Sequence, residues 1–237
     1  MRFVIFQTGD SSAYTRARYG TYGDLFLDLL KEDGHHWEVV DVTRGEYPED
    51  LPTYDGVVVT GSVADAHGRD PWILALNQCL AACHDRGQKI LGVCFGHQAV
   101  ANALGGRSYV NPAGWEIGLH TLRLHPDFHD YHFAEGISEP PRILQSHRDH
   151  VAALPPGAKI LASTPATPVQ MFALGQRVLC MQGHPEFYGD IVADLIQSRL
   201  DRGIISPELA GEGLDSLKDP ADRRVLRDMI LRFLYGK

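Results

Sequence analysis

The sequence predicts an α/β protein of three layers, α/β/α, with a mostly parallel central sheet, an antiparallel extension and C-terminal helices. Three observations carry this expectation. Continuous apolar runs such as Gly56-Val57-Val58-Val59-Thr60 are what parallel strands covered on both faces require. Over the first hundred or so residues such runs alternate with segments of helical periodicity, the order that builds a parallel sheet with helices on both sides. Further on the runs become short, closely spaced and punctuated by Gly and Pro, until helical spacing returns at Gly189.

Taken in order, residues 2–7 read as a buried strand, and residues 14–22, rich in Tyr, Arg and Gly, as a loop able to lid a site. Tyr22, Leu25, Phe26, Leu29 and Leu30 fall on one face of a helix over 22–31. Residues 37–42 form a strand, and a loop of Glu, Pro and Asp leads to the strand over 56–60. Asp70 as N-cap and Pro71 at the first helical position open a helix over 71–86, which Gly87 closes. Residues 89–93 are the next buried strand, and a helix through 99–104 ends at Gly105-Gly106. Residues 119–124 alternate, 142–145 are short, and 158–162, 169–172 and 178–181 follow as an antiparallel or mixed extension. Ile191, Val192, Leu195, Ile196 and Leu200, then Val225, Leu226, Met229, Ile230 and Phe233, keep helical spacing, with Ser206-Pro207 opening a short helix between them. There is no repeat and no long linker. One domain is expected: residues 1–190 as the catalytic unit and 191–237 as helices packed on it rather than making a dimer.

The 237 residues are 44% hydrophobic and 22% charged, enough for one large domain or two small ones at roughly 150 residues each. A chain of this length buries about 70–75% of its unfolded surface and needs no staples. With 22 basic against 30 acidic residues, net charge -8, neither nucleic acid nor an anionic membrane is an expected partner. No run approaches the ~18 apolar residues of a membrane span, and the chain opens on Arg2-Phe3-Val4-Ile5-Phe6 rather than a signal peptide. A cytoplasmic location is expected. Cys79, Cys83, Cys94 and Cys180 make no C-x-x-C pair and no disulfide framework. Cys79 and Cys83 lack a second pair at zinc-finger spacing and read as small buried apolar residues. His35, His36, His120, His125, His129 and His132 read as loop or solvent-facing residues, and no metal site is expected.

Two motifs carry chemistry. In Gly92-Val93-Cys94-Phe95-Gly96-His97-Gln98 a cysteine stands between a buried strand and a helix, flanked at two-residue distance by glycines. That is a nucleophile elbow, G-x-Nuc-x-G, with Cys as the nucleophile. A side chain at either glycine collides with neighbouring backbone, and the helix that follows turns its N-terminal N–H groups towards the sulfur, favouring thiolate. By itself the pattern is equally that of a structural cysteine. The second motif, Gly183-His184-Pro185-Glu186 after the strand ending at Met181, supplies what a cysteine nucleophile needs: a base, and a carboxylate to orient it. Pro185 keeps His184 extended. In open parallel sheets, sites gather at the carboxyl ends of strands, where both motifs fall. His97, beside the nucleophile, reads as a packing residue rather than the base, and Trp115 and Phe95 as core or pocket wall.

Gly92–Gln98 followed far downstream by Gly-His-Pro-Glu resembles the class I (triad) glutamine amidotransferase domain, a flavodoxin-like α/β fold. The resemblance runs from residue 1 to about residue 190 with its motifs in family order. It implies Cys94 as nucleophile, His184 as base and Glu186 as the third triad member. Val59-Thr60-Gly61-Ser62 is similar to the family's oxyanion strand, implying that the N–H groups of Gly61 and Phe95 receive the oxyanion. Gln98 matches the glutamine that helps hold substrate, and Ser146-His147-Arg148-Asp149-His150-Val151 the segment that contacts the substrate's α-amino and carboxylate end. Asp149 and His150 equally read as caps of the turn after Ser146-His147. Asp65-Ala66, Asp70-Pro71-Trp72-Ile73 and Gly114-Trp115-Glu116-Ile117-Gly118 resemble the stand-alone subgroup that includes plant γ-glutamyl peptidases and GMP-synthase-like proteins. Gly-Ser at 61–62, where the GMP synthetase amidotransferase carries Gly-Gly-Pro, puts GMP synthesis in doubt.

The expected function is hydrolysis of the γ-amide of glutamine or of a γ-glutamyl compound through a γ-glutamyl thioester, with a small-molecule substrate and no cofactor. A glutaminase subunit feeding ammonia to a separate synthase is the alternative. A redox sensor or regulator using the elbow cysteine is a rival of another class, against which the downstream His184 and Glu186 speak. A non-catalytic scaffold subunit using the C-terminal helices is a further rival, disfavoured by the same residues.

Overall fold

A computed structural model describes residues 1–236. The first half of the chain alternates β1 (Arg2–Gln7), α1 (Ala13–Tyr19), α2 (Tyr22–Leu30), β2 (His36–Asp41), β3 (Gly56–Val59), α3 (Pro71–Asp85), β4 (Lys89–Val93) and α4 (Phe95–Ala103). Strands then dominate: β5 (Arg107–Val110), β6 (Glu116–Thr121), β7 (Arg123–Leu124), β8 (Arg142–His147), β9 (Asp149–Ala153), β10 (Lys159–Ser163), β11 (Met171–Leu174) and β12 (Val178–Met181). Helices α5 (Gly189–Asp201), α6 (Pro207–Ser216) and α7 (Arg223–Tyr235) complete the chain.

The main sheet runs β2-β1-β3-β4-β12-β11-β10-β7. Strands β2, β1, β3, β4 and β12 pair in parallel, and β11, β10 and β7 add an antiparallel edge. Successive side chains of a strand face opposite layers, and β1 shows it: Phe3 and Ile5 join the cluster beneath α2 and α7, while Val4 and Phe6 join the one beneath α3 and α4. Leu226, Met229, Ile230, Phe233 and Leu234 of α7 are all at most 1% exposed. At about 1.5–3 kcal/mol per buried side chain, that face contributes on the order of 10 kcal/mol before ordering costs. A third cluster packs α5 and α6 against Ile117 and Leu144. No helix among the described residues is long and apolar enough to cross a membrane.

Two expectations are corrected. The segment read as a loop over 14–22 holds α1, capped by the Ser12 side chain, with Tyr14 and Tyr19 both donating to Asp190 of α5. Seven residues are too few to be helical alone, so this helix rests on tertiary bonds no local pattern announces. The middle strands only partly extend the sheet. β6 pairs with β8 and β5 with β9 as separate two-stranded ribbons. The run over 119–124 therefore splits at buried Leu122, β6 serving a ribbon and β7 the main sheet. Asp70 stands at the N-cap of α3, but its side chain makes no cap bond.

Candidate active site

The carboxyl ends of β3, β4 and β12, adjacent in the sheet, bring Gly61, Cys94 and His184 together. Cys94 has φ +53° and ψ -105°, and among the described residues no other non-glycine has positive φ. Such a conformation costs about 1–3 kcal/mol and persists only where its surroundings enforce it. Here Cys94 N–H donates to Met181 O at 2.9 Å and Gly96 N–H to Thr60 O at 3.1 Å. The flanking glycines are obligatory: a Cβ at Gly92 would lie 2.6 Å from Gly96 O, and one at Gly96 2.3 Å from Val59 O. Phe95 is the first residue of α4, so its N–H has no intrahelical acceptor and the helix dipole ends beside the sulfur.

His184 is extended, its N–H donating to Leu144 O of β8 at 2.8 Å. Its Nδ1 lies 2.7 Å from Glu186 Oε1, and its ring hydrogen-bonds Cys94. Phe187 stacks on the ring at 4.0 Å and 2°, fixing its plane. His184 and Glu186 are 4% and 1% exposed. Burial lowers the basicity of His184, but the charges and hydrogen bonds of Glu186 and Cys94 outweigh it and raise the ring to about 10. His97 is an internal control: equally buried, packed on Phe172 and without a carboxylate, it is pushed down to about 3. Glu186 and Cys94 together therefore outweigh burial and decide the ring's charge.

Gly61 abuts both partners, since a Cβ there would meet His184 Cε1 at 3.1 Å and Cys94 Cβ at 3.7 Å. Thr8 clamps this strand end, its Oγ1 donating to Gly61 O at 2.9 Å. A cavity of about 440 Å³ opens here, reached by Gly61, Cys94, Phe95, Gln98, Ser146, His147 and His184. Gln98 donates both amide hydrogens to protein, to Asp149 O at 2.9 Å and Gln182 Oε1 at 3.0 Å, leaving its carbonyl for a ligand. His147 faces two oxygens, Asp149 O at 2.9 Å and Glu116 Oε2 at 3.1 Å, which fix the orientation of its ring. Burial favours the neutral form of Glu116, yet His147, Thr164 and His120 hold it below the usual carboxylate range. Among the described residues no group of three or more His, Cys, Asp or Glu is placed to hold a metal ion.

The family model for class I glutamine amidotransferases matches residues 18–193. The chain belongs to the class I glutamine amidotransferase family. It is 34% identical over 238 residues to γ-glutamyl peptidase 4 of Arabidopsis thaliana, covering 98% of this chain and 95% of that one. It is 32% identical over 188 residues to the glutamine-hydrolysing GMP synthase of Aeropyrum pernix, covering 74% of this chain and 33% of the synthase. A glutamine amidotransferase structure from Thermotoga maritima shares the fold, with TM-score 0.74 at 22% identity over 99% of this chain and 98% of that one.

This amidotransferase also builds its cavity from residues that sequence reasoning missed. Tyr22, its hydroxyl pushed up to about 12 chiefly by burial, lines one part, beside Trp115, for which pocket wall is one of the two sequence readings. Leu195, Ser198, Arg199 and Arg202 line another. Their spacing i, i+3, i+4, i+7 is one face of a helix, a signal present in the sequence, although which wall that face meets is not.

Proposed function

We propose that this amidotransferase family member is a γ-glutamyl hydrolase using Cys94, His184 and Glu186. The observation that carries the reading is the strained, glycine-flanked Cys94 beside a buried His184 whose charge Glu186 maintains. The near-complete mutual coverage with a γ-glutamyl peptidase supports it. The Cys94 thiolate attacks the γ-carbonyl carbon, and the resulting oxyanion is received by the N–H groups of Phe95 and Gly61. As the C–N bond breaks, protonated His184 gives its proton to the leaving amine, and a γ-glutamyl thioester remains. Neutral His184 then takes a proton from water as its oxygen attacks the thioester, releasing glutamate and restoring the thiolate–imidazolium pair. Gln98, Ser146 and His147 hold the glutamyl end.

The test is parallel turnover of glutamine and γ-glutamyl dipeptides by the isolated protein and by Cys94→Ser. Wild-type turnover of a dipeptide, abolished in Cys94→Ser, is expected; undiminished turnover by the variant sinks the mechanism. The similarity to a GMP synthase supports a second reading, a glutaminase delivering ammonia to a synthase partner. Sluggish turnover of glutamine alone, with none of dipeptides, would favour it. A diazo-ketone analogue of glutamine should label Cys94 stoichiometrically under either reading; absence of labelling with ready peroxide oxidation would favour a redox sensor.

A further inference from the structure

Arg199 is a charged residue of the cavity that this mechanism leaves unused. It projects from α5, where one guanidinium N–H donates to Ser146 Oγ at 3.0 Å and the group lies 4.7 Å over the Trp115 ring. Three other half-buried arginines hold carboxylates, Arg142 with Asp222 at 3.1 Å, Arg223 with Asp28 at 2.7 Å and Arg227 with Glu32 at 3.2 Å, while Arg232 meets the Phe133 carbonyl at 3.4 Å. Arg199 has no carboxylate within 4 Å among the described residues. A guanidinium offers five donors in a fork matched to carboxylate, and here a single bond to a hydroxyl is made. Burial consequently lowers its affinity for its proton. Removing such a charge from water without a counter-ion costs stability, and a cost retained inside a binding cavity points to a ligand that offsets it. Arg202, one turn on, lines the same cavity and adds a second positive charge. The matched family segment ends at residue 193, so both arginines come from beyond it.

We propose that Arg199, oriented by Trp115 and Ser146, is a carboxylate receptor that binds a free carboxylate of the γ-glutamyl substrate within the Cys94 cavity. The proposal rests on the γ-glutamyl hydrolase reading and sharpens its substrate class. Two carboxylates have this chemistry: the α-carboxylate of the glutamyl group and the carboxylate of a leaving amino acid or peptide.

Binding to Cys94→Ser protein, measured by calorimetry, separates them without turnover. The probes are γ-glutamyl-alanine, γ-glutamyl-ethylamide, which lacks the leaving-group carboxylate, and the α-amide of γ-glutamyl-alanine, which lacks the glutamyl one. Adding Arg199→Met, which keeps the stem on Trp115, is expected to weaken γ-glutamyl-alanine about 10- to 100-fold, and Arg199→Lys to restore part of that loss. The mutation should cost nothing further on the probe already lacking the carboxylate Arg199 reads, which identifies the source; either source supports the proposal. Less than a threefold change on all three probes, or equal losses on all three, overturns it. The melting temperature of Arg199→Met should be unchanged or higher, because no protein ion pair is lost; a lower one with binding intact would make Arg199 a structural prop and also overturn it. Absence of turnover by wild-type protein on every γ-glutamyl compound would sink the hydrolase reading instead, while these binding measurements still decide Arg199.

Discussion

Glu186→Gln isolates the charge that grips His184, because the amide keeps the shape and reach of the carboxylate. The two side chains touch at 2.7 Å and are 4% and 1% exposed, so water screens them little. Without the charge, burial is opposed by Cys94 alone, and His97 shows the direction in which burial pushes, a buried imidazole lowered to about 3. In the proposed mechanism the proton that His184 shares with the Cys94 thiolate and gives to the leaving amine is then held less tightly. Changing the orienting carboxylate of a catalytic triad to its amide costs about 10⁴ in kcat, about 5 kcal/mol at 1.36 kcal/mol per tenfold. kcat/KM should accordingly fall by on the order of a thousandfold or more. The assay is kcat/KM on a γ-glutamyl dipeptide, together with the pH profile of iodoacetamide alkylation read on the Cys94 peptide by mass spectrometry. The variant's alkylation profile should move to higher pH. A variant within about threefold of wild type, with an unshifted profile, would refute the assignment of His184's charge to Glu186.

Other expectations are equally direct. Gly96→Ala places a Cβ 2.3 Å from Val59 O; the elbow must distort, and kcat/KM should drop at least a hundredfold with a lowered melting temperature. His97 has its folded value depressed to about 3 against an ordinary 6.5, so its contribution to stability is present above pH 6.5 and lost as pH falls towards 3, at about 1.4 kcal/mol per pH unit. Urea unfolding at stepped pH should show this acid-side slope, shallower in His97→Leu. Phe233→Ala should cost about 3–5 kcal/mol in urea unfolding, because that ring is fully buried beneath the sheet. Glu116→Gln leaves the His147 ring facing an amide rather than a carboxylate and should raise KM for γ-glutamyl substrates several-fold more than it lowers kcat.

The elements that are continuous in sequence and buried on both faces were legible, as Val57-Val58-Val59 of β3 and Ile90–Val93 of β4 illustrate. The elbow was legible for the same local reason: two glycines around a cysteine report a backbone turn whose clash distances the fold makes explicit. What escaped were elements whose support lies far away in the chain. Helix α1 is held by Asp190, and the 149–153 strand by a partner starting at Arg107. Neither leaves a periodicity of its own, since propensity yields to tertiary bonds in short segments.

The sequence by itself determined the local arrangements available: a cysteine in a turn only glycine permits, and a histidine tied two residues away to its carboxylate. These depend on sterics and hydrogen bonds within a few residues. Only the tertiary structure decided where that chemistry sits and what it faces. Ninety residues separate Cys94 from His184, and they meet because β4 and β12 are neighbours in a parallel sheet, a pairing set by long-range packing. Arg199 likewise becomes part of the cavity because Ile191, Val192 and Ile196 bury the other face of α5. Helical spacing says which residues share a face; the packing of that helix against the rest of the chain decides which face meets the substrate.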